Sequence, residues 1–168
     1  MMVPDLGSRS ITSEAIAEIE RPAGQLLLGY ALLDHQLDFW LMKVFEVARK
    51  QNLASKMPHQ IGDKIGLLEK CFTRLAEFSQ HRHQALRLLK EADELNSIRN
   101  TIAHGALSHF GADPGPMLVF ARLRYSKGHG VHLLKDEVLT FAQIIDAASR
   151  VSDVVAGMQE ISQVLHGR

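Results

Sequence analysis

The chain has 168 residues, and one domain is the usual outcome at that length. Its 19 basic and 19 acidic side chains cancel, which excludes a strongly basic domain that binds duplex nucleic acid by bulk charge but leaves room for a local basic site. The single cysteine excludes a disulfide framework, and no apolar stretch is long enough to form a membrane helix. The N-terminus also lacks a secretory signal, so we expect a cytoplasmic protein.

The first predicted elements are a short arm and a long helical region. Residues 1–9 contain little that can pack, and we expect them to form a disordered arm ahead of a single domain over residues 10–168. A first helical stretch is predicted from Thr12 to a break at Pro22 and Gly24. From Gln25 to Lys50, apolar residues recur every three or four positions in a wide stripe. Such a stripe predicts a helix buried on two sides, either inside a bundle or against a partner chain.

Two more helices are predicted in the middle of the chain, over residues 60–78 and 84–103, after a loop over residues 51–59. Gly105 stands where a helix C-cap glycine belongs. Glycines and prolines over residues 111–116 predict a loop, and apolar residues at alternate positions then predict a β-hairpin over residues 117–134.

The last predicted helix begins at Thr140, which forms a capping box with Gln143, and it reaches Leu165. Leu139 and Ile144 are placed to form the hydrophobic staple of this helix start. The predicted fold is therefore all-α: a four- to five-helix bundle with a β-hairpin inserted before the C-terminal helix.

The end of the third helix combines side chains that an ordinary core helix does not need. On a helical wheel at about 100° per residue, Arg99 falls near the middle of the apolar arc. A guanidinium there is costly unless it is paired or faces a polar cavity. Asn96, Asn100 and His104 follow at steps of four residues. An always-charged donor, an amide and an imidazole thus meet at one helix end.

Two interpretations of Arg99 are open at this point. In the structural interpretation, Arg99 pairs with a carboxylate of the first long helix, for which Asp34 and Asp38 are candidates. In the functional interpretation, Arg99 acts with Asn100 and His104 to bind and turn over a phosphodiester.

The segment from Ile98 to Gly105 reads Ile-Arg-Asn-Thr-Ile-Ala-His-Gly and resembles the signature of the HEPN superfamily. That signature is an arginine, usually followed by a polar residue such as asparagine, with four to six residues before a histidine. Here four residues separate Arg99 from His104, and Asn100 holds the polar position. The order of the helices is also similar, whereas the hairpin over residues 117–134 departs from the minimal bundle.

The resemblance implies a metal-independent endoribonuclease, because many HEPN proteins are such enzymes and act as toxins or in phage defence. Their active site is a composite cleft between two protomers, which implies a homodimer. In that cleft His104 would be the acid or base, and Arg99 would bind the phosphate and stabilise developing charge. Asn100 would orient the histidine or a phosphate oxygen by hydrogen bonding. The implied products are a 2′,3′-cyclic phosphate and a 5′-hydroxyl, with no metal or other cofactor.

Other residues are candidates for substrate binding or bear on regulation. Asn96, His109 and, on the first hairpin strand, Arg122 and Arg124 are the candidate RNA contacts. An antitoxin or activator protein is a further expected partner. Ala106 stands where one toxin subgroup has a tyrosine that a nucleotidyltransferase modifies, so that mode of control is not implied.

Two alternatives to the enzyme stay open. In one, the same cleft binds RNA or a nucleotide without cleaving it. In the other, the chain is an interaction protein in which Arg99 is a structural ion-pair partner. The complete set of Arg99, Asn100 and His104 favours catalysis. No metal site is expected, because the pair His81 and His83 has no third ligand at a suitable spacing.

Overall fold

The structure, a computed structural model, describes residues 13–111, 117–126 and 131–166, without the side chains of residues 15, 108–111, 122–126, 131–135 and 166. The described chain is mostly helical, as predicted, with α1 (Ser13–Lys50), α2 (Ile61–Arg74), α3 (Arg82–His104) and α4 (Phe141–His166). A 3-10 helix (Ala76–His81) joins α2 to α3. Between α3 and α4 come the strands β1 (Ala106–Gly111), β2 (Met117–Ser126) and β3 (Val131–Thr140). Over these residues no helix is long and apolar enough to cross a membrane.

Helix α1 runs through Pro22, so the predicted break at Pro22 and Gly24 is wrong. Proline costs a helix one backbone hydrogen bond, because its nitrogen carries no hydrogen. The apolar stripe nevertheless continues past it: Ile19 and Ala23 pack against a buried cluster, and Leu26 is fully buried. Burial of these side chains offsets the lost hydrogen bond, and the described residues therefore form four α-helices and not five.

The chain divides into two compact units, which we name by their content. The sheet unit consists of Met1–Leu27 and Ser97–Ala148, and the helical unit consists of Leu28–Asn96 and Ser149–Arg168. Helices α1, α3 and α4 each contribute residues to both units.

The sheet unit contains an antiparallel sheet with the strand order β1-β2-β3. In the β2–β3 pair, Met117 lies opposite Thr140 and Ser126 lies opposite Val131, which confirms the predicted hairpin but extends its second strand six residues beyond the predicted end at residue 134. Residues 127–130 of the predicted hairpin, most of the predicted loop over residues 111–116 and the predicted arm over residues 1–9 lie outside the described residues. Strand β1 was not predicted. Its register against β2 shifts between Leu107 and His109, which interrupts the alternation by which a strand is identified.

The core of the sheet unit joins the sheet to the ends of two helices. Its buried side chains are Leu118, Phe120, Leu139 and Ile144, and Ile98 and Ile102 of α3 pack against them. The capping box of α4 is confirmed. The Thr140 backbone N–H donates to Gln143 Oε1 at 2.8 Å, and the Gln143 N–H donates to Thr140 Oγ1 at 3.1 Å.

The core of the helical unit is arranged around Trp40 of α1. Its ring lies 5.2 Å from that of Phe72 on α2, and its Nε1 donates to Ser162 Oγ on α4 at 3.0 Å. The Tyr30 hydroxyl donates to a backbone carbonyl of α3 at 3.2 Å. The predicted stripe of α1 is buried as expected, through Tyr30, Leu33, Leu37, Trp40, Leu41, Val44 and Ala48.

Helix α2 ends four residues before its predicted end, at Arg74. Leu75 has extended backbone angles, and the 3-10 helix follows it. This change of direction brings the Phe78 ring to 5.7 Å from that of Phe72 and buries it. A continuous helix would place residues six positions apart on different faces, so packing of the two rings favours the break.

Candidate functional site

The candidate site lies at the end of α3, where the buried face of the helix changes. In the first turns of α3 the buried side chains include Ala85, Leu88, Ala92 and Leu95. In the last turns Thr101 is buried, and Ile98 and Ile102 pack against the core of the sheet unit. At about 100° per residue, the buried face moves by roughly a third of a turn.

Arg99 is consequently half-buried at the rim of the exposed face, and not in the middle of a buried arc as the wheel predicts. The same change exposes Ala103, which the wheel places among the buried residues, and buries the polar Thr101. The guanidinium therefore borders solvent, where an anionic ligand can approach it.

Arg99 and Asn100 are joined by a hydrogen bond. Arg99 Nη1 donates to Asn100 Oδ1 at 2.8 Å, and both side chains are half-buried. On a helix, residues four apart share a face, whereas residues five apart are separated by about 140°. Asn100 and His104 thus share a face, and the hydrogen bond directs the guanidinium of Arg99 towards it.

His104 is the last residue of α3, and its side chain is exposed. The neighbouring Ala103 is exposed too, so no side chain of the described residues covers this side of the helix end completely. The imidazole is accessible to a macromolecular ligand.

Gly105 fixes the helix end by close packing and not as a left-handed C-cap. Its N–H donates to the Thr101 carbonyl oxygen at 2.9 Å, and its φ angle lies outside the left-handed region. A Cβ atom on this residue would lie 2.5 Å from the Thr101 carbonyl oxygen and 2.8 Å from Phe120 Cβ. The glycine therefore allows β2 to approach the end of α3.

Thr101 forms the second attachment of the helix end to the sheet. Its hydroxyl lies 3.1 Å from the Ser97 carbonyl oxygen and also contacts a carboxylate oxygen of Glu137 on β3. Because Gly105 contacts β2 and Thr101 contacts β3, the segment that carries Arg99, Asn100 and His104 is held on two strands. Thr101 and Glu137 were not predicted to support the site, because no local pattern in the sequence indicates their contact.

The other candidate RNA contacts are distributed over several elements. Asn96 is half-buried and belongs to the helical unit, whereas Arg99 and His104 belong to the sheet unit. His109 lies in β1, and Arg122 and Arg124 lie in β2. Their side chains lie outside the described residues, so their role stays a prediction.

Asp34 and Asp38, the predicted carboxylates for Arg99, bind a different cation. The Lys64 ammonium of α2 lies 2.8 Å from Asp34 Oδ1 and 2.7 Å from Asp38 Oδ1, and Lys64 is only 5% exposed. Burial lowers the pKa of Lys64, but the hydrogen bonds and charges of the two aspartates outweigh it and raise the pKa above its ordinary value. Lys64 is thus a cation that both of these aspartates bind.

Within the described part of the chain, no three His, Cys, Asp or Glu side chains are grouped as a metal site requires. His81 closes the 3-10 helix, and His83 lies in the first turn of α3. No protein-family model, no curated protein and no solved structure matches this chain.

Proposed function

We propose that this protein is a metal-independent endoribonuclease that acts at the end of α3. The observation that carries the proposal is the 2.8 Å hydrogen bond from Arg99 to Asn100 beside the exposed imidazole of His104. Arg99 is therefore oriented by Asn100 while it presents its charge at the rim of the exposed face.

The three side chains match the needs of RNA cleavage by transesterification. A base removes the proton of the ribose 2′-hydroxyl, whose oxygen forms a bond to phosphorus, and the bond to the 5′-oxygen breaks as an acid protonates that oxygen. His104 is the acid or the base, because imidazole exchanges protons near neutral pH. Arg99 stabilises the charge that accumulates on the phosphoryl oxygens. The products are a 2′,3′-cyclic phosphate and a 5′-hydroxyl.

A second copy of the chain is part of this proposal. One copy contributes one imidazole at the end of α3, whereas the reaction needs an acid and a base. A homodimer that brings two α3 ends together supplies both groups, as in the composite clefts of the HEPN proteins that the motif resembles. The setting that we propose is a cytoplasmic toxin or phage-defence enzyme, held in check by an antitoxin or switched on by an activator.

The test is cleavage of RNA by purified protein in EDTA, with structured and unstructured substrates. We expect His104→Ala to lower the rate by about a hundredfold or more, the usual contribution of a general acid or base. His59→Ala is the matched control, since His59 is also exposed but lies in the loop before α2. Mass spectrometry of the wild-type products should show cyclic-phosphate ends.

Two results would change the conclusion. Cleavage that persists in His104→Ala at the wild-type rate would overturn the proposal. Specific RNA binding by wild type without cleavage, weakened in Arg99→Ala, would favour the alternative of a non-catalytic RNA- or nucleotide-binding module.

A further inference from the structure

Helix α1 carries a second apolar face within the helical unit, and the fold leaves it exposed. Leu28 is 73% exposed, Leu32 is 59% exposed and Met42 is 64% exposed. Phe39 is half-buried between the last two, and His35 is exposed. We call these five residues the outer seam.

The spacing of the outer seam is that of a helix that packs along another helix. Its residues follow one another at steps of four, three, four and three, which is the heptad pattern of a coiled-coil seam. Exposed apolar side chains are common when they are scattered singly. Three exposed apolar residues and the half-buried Phe39 in heptad register on one helix, opposite a face that is already buried, indicate a missing helical partner.

The charges beside the seam indicate what that partner is. Asp38 flanks the seam on one side; its Oδ1 binds Lys64, but its side chain is still 52% exposed. Lys43 flanks the seam on the other side five residues later, with its ammonium 5.6 Å from the centre of the Phe39 ring. In two parallel helices in register, a flanking residue on one helix faces the opposite flank of the other helix five residues further on. A second copy of α1 laid parallel on the first therefore places Asp38 of each copy beside the partner's Lys43.

An antiparallel second copy does not produce this pairing. Antiparallel helices bring like flanks together, so Asp38 would face a residue of the partner's Asp38 flank. That flank consists of Ala31, Asp38 and Phe45 and does not include Lys43. The two charge pairs thus select one orientation, and the twofold symmetry of a homodimer forms both pairs from a single arrangement.

We propose that a second copy of this chain docks on the outer seam, with α1 parallel to α1 and in register. Each seam residue then meets its own counterpart, and the two copies of His35 form one polar layer between apolar layers. A single polar layer fixes the register of paired helices at a cost in stability. The inference stands on the seam and does not require ribonuclease activity, although a dimer is also what that activity needs.

The first test is sedimentation velocity over a range of protein concentrations. We expect wild type to dimerise and Leu32→Glu to raise the dimer dissociation constant by about a hundredfold, because two buried leucines become two facing carboxylates. Ile145→Glu is the matched control, since Ile145 is 55% exposed but lies on α4 and is not a seam residue, and it should leave the constant unchanged. Circular dichroism checks that both variants fold.

His35→Leu should strengthen the dimer, which is a change that a misfolded variant would not produce. Replacing the polar layer by leucine should lower the dissociation constant by about tenfold. A monomeric wild type at high concentration, or a Leu32→Glu variant that dimerises as wild type does, would overturn the proposal.

Disulfide formation under a mild oxidant tests the orientation. Leu28→Cys should cross-link to itself, because parallel helices in register place the two copies of residue 28 side by side. The natural Cys71 gives little background, since burial raises its pKa to about 11 and keeps the thiol protonated. Cross-links only between Leu28→Cys and Met42→Cys would mean antiparallel helices and would overturn the arrangement. Neither readout involves RNA, so failure of the ribonuclease proposal does not affect this test.

Discussion

The close approach of Gly105 to β2 predicts that adding a single methyl group at this residue lowers the stability of the fold. Gly105→Ala should lower the free energy of unfolding by about 1–3 kcal/mol, because the added Cβ would overlap the Thr101 carbonyl oxygen and the Phe120 side chain. Gly66→Ala is the control: Gly66 lies inside α2 with nothing within 4 Å of a Cβ, and alanine there should stabilise by about 0.5–1 kcal/mol. Urea denaturation measures both, and effects of the same sign would contradict the packing described for Gly105.

Lys64 makes a second prediction at the scale of the residue. Lys64→Met should lower the free energy of unfolding by about 1–3 kcal/mol, because it leaves Asp34 and Asp38 facing each other without a cation. Lys70→Met, on the exposed side of the same helix, should have little effect. Similar losses for the two variants in urea denaturation would mean that the ion pairs do not stabilise the fold.

The pKa of Lys64 gives the sign of its pH dependence. Since its pKa is raised on folding, the ammonium contributes its stabilisation in full below the ordinary lysine value of 10.5. That contribution is lost only as the pH rises through the folded pKa. The stability difference between wild type and Lys64→Met should therefore be the same at pH 7 and pH 9, and should shrink above pH 10.5.

Sequence reasoning identified Arg99, Asn100 and His104 but placed Arg99 wrongly. A helical wheel assumes one buried face along the whole helix, whereas α3 changes its buried face where Ile98 and Ile102 meet the sheet. The contact of Thr101 with Glu137 joins residues 36 positions apart, and neither residue stands out in the sequence. Motif spacing is local and can be read directly, but the partners of a motif depend on the tertiary fold.

At the scale of the element, the continuity of α1 through Pro22 predicts that this proline costs stability. Pro22→Ala should raise the free energy of unfolding by about 1–3 kcal/mol, because it supplies the missing backbone N–H in a helix interior. Arg21→Ala replaces the exposed neighbouring residue, and it should change the free energy of unfolding much less than Pro22→Ala does. A Pro22→Ala variant no more stable than wild type in urea would mean that α1 gains nothing from that hydrogen bond.

Elements defined by local chemistry were predictable, and those defined by distant partners were not. The start of α4 was predictable because Thr140 and Gln143 are three residues apart, and the backbone N–H of each donates a hydrogen bond to a side-chain oxygen of the other. The break after Arg74 depends on the packing of Phe78 on Phe72, and strand β1 depends on β2. The prediction that Pro22 breaks the helix was wrong because local rules do not include the apolar side chains buried on both sides of it.

At the scale of the whole molecule, the two proposals lie in different units of the chain. Arg99 and His104 belong to the sheet unit, whereas the outer seam belongs to the helical unit. The spacing of apolar residues was sufficient to predict a helical fold, but it could not divide the chain into units or distinguish the two apolar faces of α1. The wide stripe over residues 25–50 allowed burial in a bundle or against a partner chain. The structure buries that stripe and leaves exposed a further apolar face of α1 that lies outside it.

A mixing experiment connects the two units functionally. If two copies share one active site and pair through the seam, an equal amount of His104→Ala added to wild type should lower the cleavage rate to about half, because half of the wild-type chains then pair with an inactive copy. The double variant Leu32→Glu/His104→Ala cannot occupy the seam and should leave the rate unchanged. If the double variant inhibits as strongly as His104→Ala, a different surface assembles the active dimer. If neither protein inhibits, each copy cleaves RNA with its own Arg99 and His104.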